Sequence, residues 1–270
     1  MSRDEADPLG GGVSMKFLVI SDIHANLEAL EATLQAAGAY DRVLVLGDLV
    51  GYGADPNAVI DRVRQLPVEA MIRGNHDKVA AGLEDVEGFN YLARQAIEWT
   101  AAALTAENRA WLAALPQGPV IIDDFTEICH GTPFDEDVYV FDDMDALRAL
   151  NAARRPLCLF GHTHVPAIFR LGEPAAGQAR ARAGRELDGT VPVPGPSFRL
   201  NLDNESQCLV NCGAVGQPRD GDARAAYGLL DTDARAVTIM RTPYDIATAQ
   251  AKIIEAGLPE VLAQRLAVGR

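Results

Sequence analysis

Short apolar runs alternate with amphipathic segments over the first third of the chain. The runs MKFLVI (15–20), RVLVL (42–46) and EAMI (69–72) have the length and continuity of buried strands. Between them, residues 26–38 place leucines at helical spacing, and a second helical segment covers residues 56–65. The order strand, helix, strand, helix, strand implies right-handed crossovers and a largely parallel sheet.

The second half of the chain is rich in predicted strands. A helical cap is predicted first, at residues 78–115, where Leu92 and Ala96 share an apolar face and Thr105 caps a second helix. Apolar runs then predict strands at 120–123, 126–130, 157–161, 167–171, 198–202, 207–211 and 236–241. Two short helices end the chain. The whole pattern predicts an α/β fold, a four-layer αββα sandwich in which two mixed sheets pack face to face with helices outside.

Two segments show no hydrophobic periodicity. Residues 1–14 contain three consecutive glycines and are predicted to be a disordered leader, which makes Met15 a candidate start. Residues 172–197 are rich in Gly, Pro, Ala and Arg, and we interpret them as a long hairpin tip or a flexible insertion. We expect residues 15–270 to form a single domain.

Composition narrows the range of partners. The formal net charge of -14 disfavours a surface that follows a phosphate backbone, so we expect no stable complex with nucleic acid. No apolar stretch approaches the ~20 residues that cross a bilayer, and no signal peptide is recognisable. We therefore expect a cytoplasmic protein without membrane contact, and its size suggests a homodimer.

All histidines of the chain follow predicted strands at their carboxyl ends. These 5 residues are His24, His76, His130, His162 and His164. Asp22 and Asp48 end the first and second predicted strands. Because ligands collect at this edge of open α/β sheets, we expect these side chains and Asn75 to lie together.

The residue types indicate metal binding. A single histidine at a strand end is usually an ordinary polar residue, but His162 and His164 alternate along one segment, which sends both rings to the same side. Imidazole and carboxylate groups suit Mn²⁺, Fe, Zn²⁺ or Ni²⁺ better than Ca²⁺. Because the candidate ligands exceed the needs of one ion, the sequence predicts two divalent ions that share a carboxylate, with Mn²⁺ the first choice.

Five blocks of sequence resemble the signature of calcineurin-like metallophosphoesterases. In order, they are SDIHAN, GDLVGYG, IRGNHD, CHG and GHTH, within residues 21–164. The stretch NCGAVGQPRDGDARAAYGLLD (211–231) is similar to a loop and strand in the bacterial phosphodiesterase-like branch. The resemblance covers nearly the whole chain from Met15. It implies a phosphoesterase that hydrolyses a small phosphodiester or a nucleotide by attack of a hydroxide between two metal ions.

The resemblance also implies roles for individual residues. The first ion is assigned Asp22, His24 and His164, the second is assigned Asn75, His130 and His162, and Asp48 bridges both. His76 then faces the substrate as a proton donor or phosphate contact, so His76 and Asp48 are the predicted catalytic residues. Asp77 is expected to cap the next helix, and a catalytic role is the alternative.

Four further residues are predicted to bind the substrate. They are Arg73, Asn90, Asn211 and Arg219. A guanidinium forks onto phosphate oxygens, although a surface salt bridge is an equally good use of Arg73.

Several alternative functions stay open at this point. Gly51, Tyr52 and Gly53 replace the aspartate and arginine that end the second block in protein serine/threonine phosphatases, which disfavours phosphoprotein substrates. A dinucleoside polyphosphate hydrolase fits the same chemistry. Two non-catalytic alternatives are a scaffold similar to a retromer subunit and a binder that holds a nucleotide without turnover. Competent side chains at every ligand position favour catalysis.

Overall fold

The computed structural model of the chain describes residues 14–172, 186–191 and 195–270. The described strands are β1 (Lys16–Ile20), β2 (Arg42–Val45), β3 (Val68–Met71), β4 (Val120–Ile121), β5 (Thr126–Ile128), β6 (Leu157–Phe160), β7 (Ala167–Gly172), β8 (Glu186–Thr190), β9 (Ser197–Asn201), β10 (Gln207–Asn211), β11 (Ala225–Asp231) and β12 (Ala236–Thr242). The described helices are α1 (Leu27–Ala36), α2 (Pro56–Val63), α3 (Asn75–Ala80), α4 (Tyr91–Ala103), α5 (Ala106–Ala113), α6 (Asp143–Ala152), α7 (Ile246–Glu255) and α8 (Glu260–Leu266).

Two mixed sheets of six strands each form the centre of the fold, as predicted. Sheet A has the strand order β3-β2-β1-β11-β12-β9, and sheet B has the order β4-β5-β6-β10-β7-β8. In sheet A, β1 pairs in parallel with β2 and antiparallel with β11. β11 lies in the stretch 211–231, where the resemblance placed a strand.

The two sheets pack face to face, and side chains along each strand point alternately towards the other sheet and towards the helices. Phe17 and Val19 of β1 join Leu157 and Leu159 of β6 in the cluster between the sheets. Leu18 and Ile20 point the other way and pack with residues of α1 and α2. On the far side, α6 covers sheet B in a third cluster. The four-layer arrangement of the prediction is therefore confirmed.

Three local predictions need correction. Residues 78–115 were predicted to be a helical cap, but residues 82–90 are not helical, so the cap consists of α4 and α5. Helix α3 precedes it and begins at Asn75, inside the GNHD block. Thr105 is the N-cap of α5, as predicted. Helix α6 was not predicted, although Ala146, Ala149 and Leu150 bury one helical face. Strand β8 lies in the predicted loop, because an exposed edge strand lacks the apolar alternation of a buried one.

Other predictions fall where nothing is described. Residues 1–13 of the predicted leader and most of the insertion at 172–197 lie outside the described residues. None of the helices in the described ranges has both the length and the apolar character that crossing a membrane requires.

Candidate metal centre

The predicted metal ligands follow the carboxyl ends of five strands from both sheets. β1, β2 and β3 are parallel in sheet A, and β5 and β6 are parallel in sheet B, so the ends of neighbouring strands lie at a common edge. The ligand side chains are all buried, and they are Asp22, His24, Asp48, Asn75, His130, His162 and His164.

Two groups of potential ligand atoms share Asp48. The first group is Asp22, His24, Asp48 and His164, and the second is Asp48, His130 and His162. Within each group, one ligand atom per residue lies within 4.8 Å of all the others. Asn75 joins the second group, because its Oδ1 atom is 3.2 Å from Nε2 of His130. Each group thus offers the four N and O donors that suit a divalent transition metal.

The Asp48 carboxylate lies between the two groups. Its Oδ2 atom is 3.5 Å from Nε2 of His24 and 3.4 Å from Nε2 of His130. Its Oδ1 atom accepts a hydrogen bond from the backbone N–H of His76 at 2.9 Å. This second contact fixes the carboxylate plane and leaves Oδ2 facing both imidazoles.

Backbone carbonyls set the tautomers of the first pair of histidines. Nδ1 of His24 lies 3.0 Å from Val50 O, and Nδ1 of His164 lies 2.6 Å from Gln217 O. Since a carbonyl only accepts, each Nδ1 carries the proton and each Nε2 presents a lone pair. The two Nε2 atoms are 3.0 Å apart, an arrangement that a cation between them stabilises.

The second group is oriented in the same manner. Nδ1 of His130 contacts Leu46 O at 2.8 Å, which leaves Nε2 for a metal. His162 is reversed, because its Nε2 contacts Asp137 O at 3.1 Å and its Nδ1 is left for a metal. The donor set therefore fits two cations.

Burial and mutual charge shift the pKa values of these groups. Burial raises the pKa of Asp22 to about 7 and lowers the pKa of His24 to about 4. Burial alone would lower the pKa of His130, but the carboxylates of Asp48 and Asp22 outweigh it and raise that pKa to about 10. The buried carboxylates thus favour positive charge at this place, which divalent cations supply when they bind.

Left-handed backbone conformations concentrate at the predicted ligands. The φ values are 53° for Asp22, 49° for His24, 54° for Asp48, 67° for His162 and 61° for His164. Such conformations cost roughly 1–3 kcal/mol for residues with a side chain. Among the other described non-glycine residues, only Ala25, Tyr52 and Arg235 share a positive φ. Strain gathered at one place indicates a functional site.

Two glycines allow the chain to approach the site closely. Gly51 has a φ of +89°, and a Cβ atom there would lie 2.5 Å from Nδ1 of His76. A Cβ atom on Gly74 would collide with the Asp48 carboxylate. Both positions therefore exclude a larger side chain.

His76 stands outside both ligand groups and lines a cavity of about 270 Å³. Its ring packs 4.5 Å from Tyr52 and 4.7 Å from Phe89, between ring centres, and its Nδ1 atom has no hydrogen-bond partner among the described residues. Burial holds the pKa of His76 well below its usual range, so the ring is neutral near pH 7. Of the two roles predicted for His76, proton donation assumed a pKa near neutrality, which the buried ring does not have. A phosphate contact needs only the N–H of a neutral ring.

Asp77 has the capping role expected for it. Its Oδ2 atom accepts from Gly74 N–H at 3.0 Å, at the start of α3, and its Oδ1 atom accepts from Val50 N–H at 3.1 Å. The carboxylate thereby ties the GNHD block to the loop after β2.

The first two predicted substrate contacts have structural partners. The Arg73 guanidinium pairs with the buried carboxylate of Glu136, with Nη2 and Oε1 3.2 Å apart, so the structure contains the salt bridge that was its alternative use. Asn90 lines the cavity, and its Oδ1 atom accepts from Ala93 N–H at 3.1 Å as the N-cap of α4.

The other two predicted contacts lie in the segment after β10. Asn211 is fully buried, and its amide donates to Gly161 O and Thr163 Oγ1 and accepts from Gly213 N–H. These bonds support the GHTH turn. The Asn211 side chain therefore has a structural role in place of the predicted substrate contact. Arg219 stacks over Tyr52, with Cζ 5.6 Å from the ring centre.

Sequence reasoning missed three residues at the site. The Tyr139 ring stacks on His162, with ring centres 3.8 Å apart, and the carbonyls of Asp137 and Gln217 orient two of the histidines. A backbone carbonyl carries no signal in the sequence, and Tyr139 lies in a loop without a block motif. Stacking on a predicted ligand is visible only in three dimensions.

Comparisons with known proteins identify the family of the chain. The model of the calcineurin-like phosphoesterase superfamily domain matches residues 15–235. An uncharacterized protein of Methanocaldococcus jannaschii is 33% identical over 268 residues, which cover 96% of this chain and 100% of that protein. A metallophosphoesterase from Sphaerobacter thermophilus is 39% identical in sequence, and its crystal structure superimposes with a TM-score of 0.79. The match covers 95% of this chain and 100% of that one. A hypothetical protein from Pyrococcus horikoshii, 19% identical over 94% of this chain and 98% of its own, shares the fold with a TM-score of 0.70. The sequence blocks, the clustered ligands and these matches lead to one conclusion: the chain belongs to the calcineurin-like phosphoesterase superfamily.

Proposed function

We propose that the chain is a phosphodiesterase that uses two divalent metal ions, with Mn²⁺ the first choice, to hydrolyse a small phosphodiester or a nucleotide. Family membership indicates hydrolase activity, and members typically bind a dinuclear metal centre. The single observation that carries the proposal is Asp48, whose carboxylate belongs to both ligand groups. Two such ions lower the pKa of water towards neutrality and neutralise charge on phosphate oxygens.

The residues of the chain hold and orient the reacting groups in this proposal. Asp22, His24 and His164 would hold the first ion, Asn75, His130 and His162 the second, and Asp48 both. The neutral His76 ring would direct its N–H to a phosphate oxygen or to the leaving oxygen, from its place on the cavity wall.

The cavity supports a small substrate. About 270 Å³ of space is bordered by the rings of Tyr52, Phe89 and Tyr139 and by α3. This volume suits one flat group of nucleoside size, and an extended peptide exceeds it.

Hydrolysis of bis(p-nitrophenyl) phosphate in the presence of Mn²⁺ tests the proposal, with p-nitrophenyl phosphate as the monoester comparison. The expected result is diester turnover that a chelator abolishes and that Mn²⁺ restores. Preference for the monoester would contradict the phosphodiesterase assignment. Absence of turnover with both metals bound would favour a binding or scaffold protein.

A further inference from the structure

Two arginines near the metal centre, Arg219 and Arg265, have no carboxylate partner within the described ranges. This is unexpected in a chain with 38 acidic and 24 basic residues. Both side chains are half-buried. The Arg219 guanidinium donates to Oε1 of Gln217, at 2.9 and 3.3 Å, and to the Tyr52 hydroxyl. The Arg265 guanidinium has no hydrogen bond or ion pair with any described residue.

The Tyr52 ring connects the two arginines to the site. Arg219 lies over this ring, whose centre is 4.5 Å from that of His76 and 4.8 Å from that of His24. Tyr52 also belongs to the buried cluster that contains Leu262 and Leu266 of α8. Arg265 lies on this same helix. The backbone N–H of Arg219 also donates to His164 O at 3.2 Å.

The electrostatics of this place are unfavourable without an anion. Burial lowers the pKa of Arg265, and the nearby positive charge of Arg219 lowers it further. Neighbouring arginines show the usual arrangement, since Arg224 pairs with Asp222 at 2.6 Å and Arg241 pairs with Asp220. Two half-buried like charges without such partners repel each other, and an oxyanion that accepts from both removes the repulsion.

We propose that Arg219 and Arg265 form an oxyanion subsite beside the metal centre, which binds a phosphate group other than the one that is cleaved. This assignment deepens the proposed function and rests on it for the identity of the cleaved group. A guanidinium binds phosphate through two parallel hydrogen bonds, so the geometry suits a substrate that carries a second phosphate. Free phosphate is a second source of the same chemistry.

Calorimetric titration of the Mn²⁺-loaded protein with inorganic phosphate tests the subsite directly. Wild type is expected to bind two phosphates per chain, one at the metals and one at the arginines. Arg265→Gln keeps most of the side-chain length but removes the charge, and it is expected to weaken one of the two sites at least ~10-fold. Arg265→Lys keeps the charge, and its phosphate affinity is expected to lie between those of wild type and Arg265→Gln. This variant guards against a folding defect.

A matched control removes the same charge elsewhere. Arg199 is exposed on β9, and among the described residues its side chain donates a hydrogen bond only to Asn201 Oδ1, at 3.2 Å. Arg199→Gln is expected to bind both phosphates with unchanged affinity. One phosphate per chain in wild type, or equal weakening in Arg199→Gln, would overturn the subsite.

Two further arms separate the subsite from the proposed function and identify the source of the phosphate. Asp48→Asn is expected to lose the phosphate at the metals and keep the one at the arginines, so a failed metal centre leaves the subsite measurable. If the subsite seats a substrate phosphate, Arg265→Gln lowers kcat/KM for a dinucleoside polyphosphate at least ~10-fold more than for bis(p-nitrophenyl) phosphate. Equal reductions, with phosphate binding lost, support the subsite with free phosphate as its ligand.

Discussion

At the scale of single residues, the site depends on one carboxylate between two sets of imidazoles. One oxygen of the buried Asp48 carboxylate accepts a hydrogen bond from the His76 N–H, which helps to orient the side chain. The other oxygen faces Nε2 of both His24 and His130. In the proposed function, this geometry makes Asp48 the residue on which both ions depend.

Replacement of Asp48 tests this dependence. Asp48→Asn removes the shared negative charge, and we expect it to release at least one metal and to lower turnover of bis(p-nitrophenyl) phosphate by at least ~100-fold, since even partners of ligands matter by ~10–100-fold. Elemental analysis and kinetics measure the two effects. Asp124→Asn, at an exposed position, is the charge-matched control. Full metal occupancy with an unchanged rate in Asp48→Asn would disprove the bridging role.

Replacement of His76 separates substrate contact from metal binding. His76 belongs to neither ligand group, so His76→Ala is expected to keep both metals. Loss of its N–H should lower kcat by roughly 100-fold or more. The measurement is metal content together with kcat. A variant that loses a metal would place His76 among the ligands instead.

At the scale of secondary structure elements, strand ends and the loops that follow them build the site. Strands β1, β2 and β6 were predictable because they are continuous apolar runs, and the blocks that follow them contain the candidate ligands. Helix α6 was predictable in principle from Ala146, Ala149 and Leu150, whereas edge strand β8 has no buried face to mark it. The support that Asn211 gives to the GHTH turn was not predictable, since its partners lie about 50 residues away.

Substitutions of Asn90, at the N-terminus of α4, distinguish helix capping from substrate binding. As an N-cap, Asn90→Ala is expected to lower the free energy of unfolding by about 1 kcal/mol, and Asn90→Asp should preserve it because aspartate caps equally well. Denaturant unfolding measures this difference. An unchanged stability in Asn90→Ala would contradict the capping role, and a raised KM in Asn90→Asp would show a substrate contact in addition.

At the scale of the whole molecule, the ligand groups draw on both sheets. Asp22, His24 and Asp48 follow strands of sheet A, whereas His130 and His164 follow strands of sheet B. The apolar cluster between the sheets holds these strand ends together. The ordered blocks predicted side chains that the fold brings together, but the sequence could not supply the tautomers or the cavity, which depend on how the two sheets meet. Metal binding should therefore stabilise the whole fold.

Thermal unfolding measures this coupling. At free Mn²⁺ near 100 times its Kd, binding to the folded state alone contributes about 2.7 kcal/mol. For a domain of this size, that corresponds to a rise in Tm of roughly 5–10 °C over chelator-treated protein. Asp48→Asn should respond less than wild type. Equal Tm values for wild type with and without Mn²⁺ would show that the buried ligands do not hold a metal.

The most direct test of the central claim is a titration of metal-free protein with Mn²⁺ while turnover of bis(p-nitrophenyl) phosphate is followed. In the proposed function, the two ligand groups share Asp48, so we expect activity to need both ions. We predict that activity rises mainly with the second equivalent of Mn²⁺ per chain and then stays constant. Full activity at one equivalent, or turnover without any metal, would contradict a dinuclear phosphodiesterase.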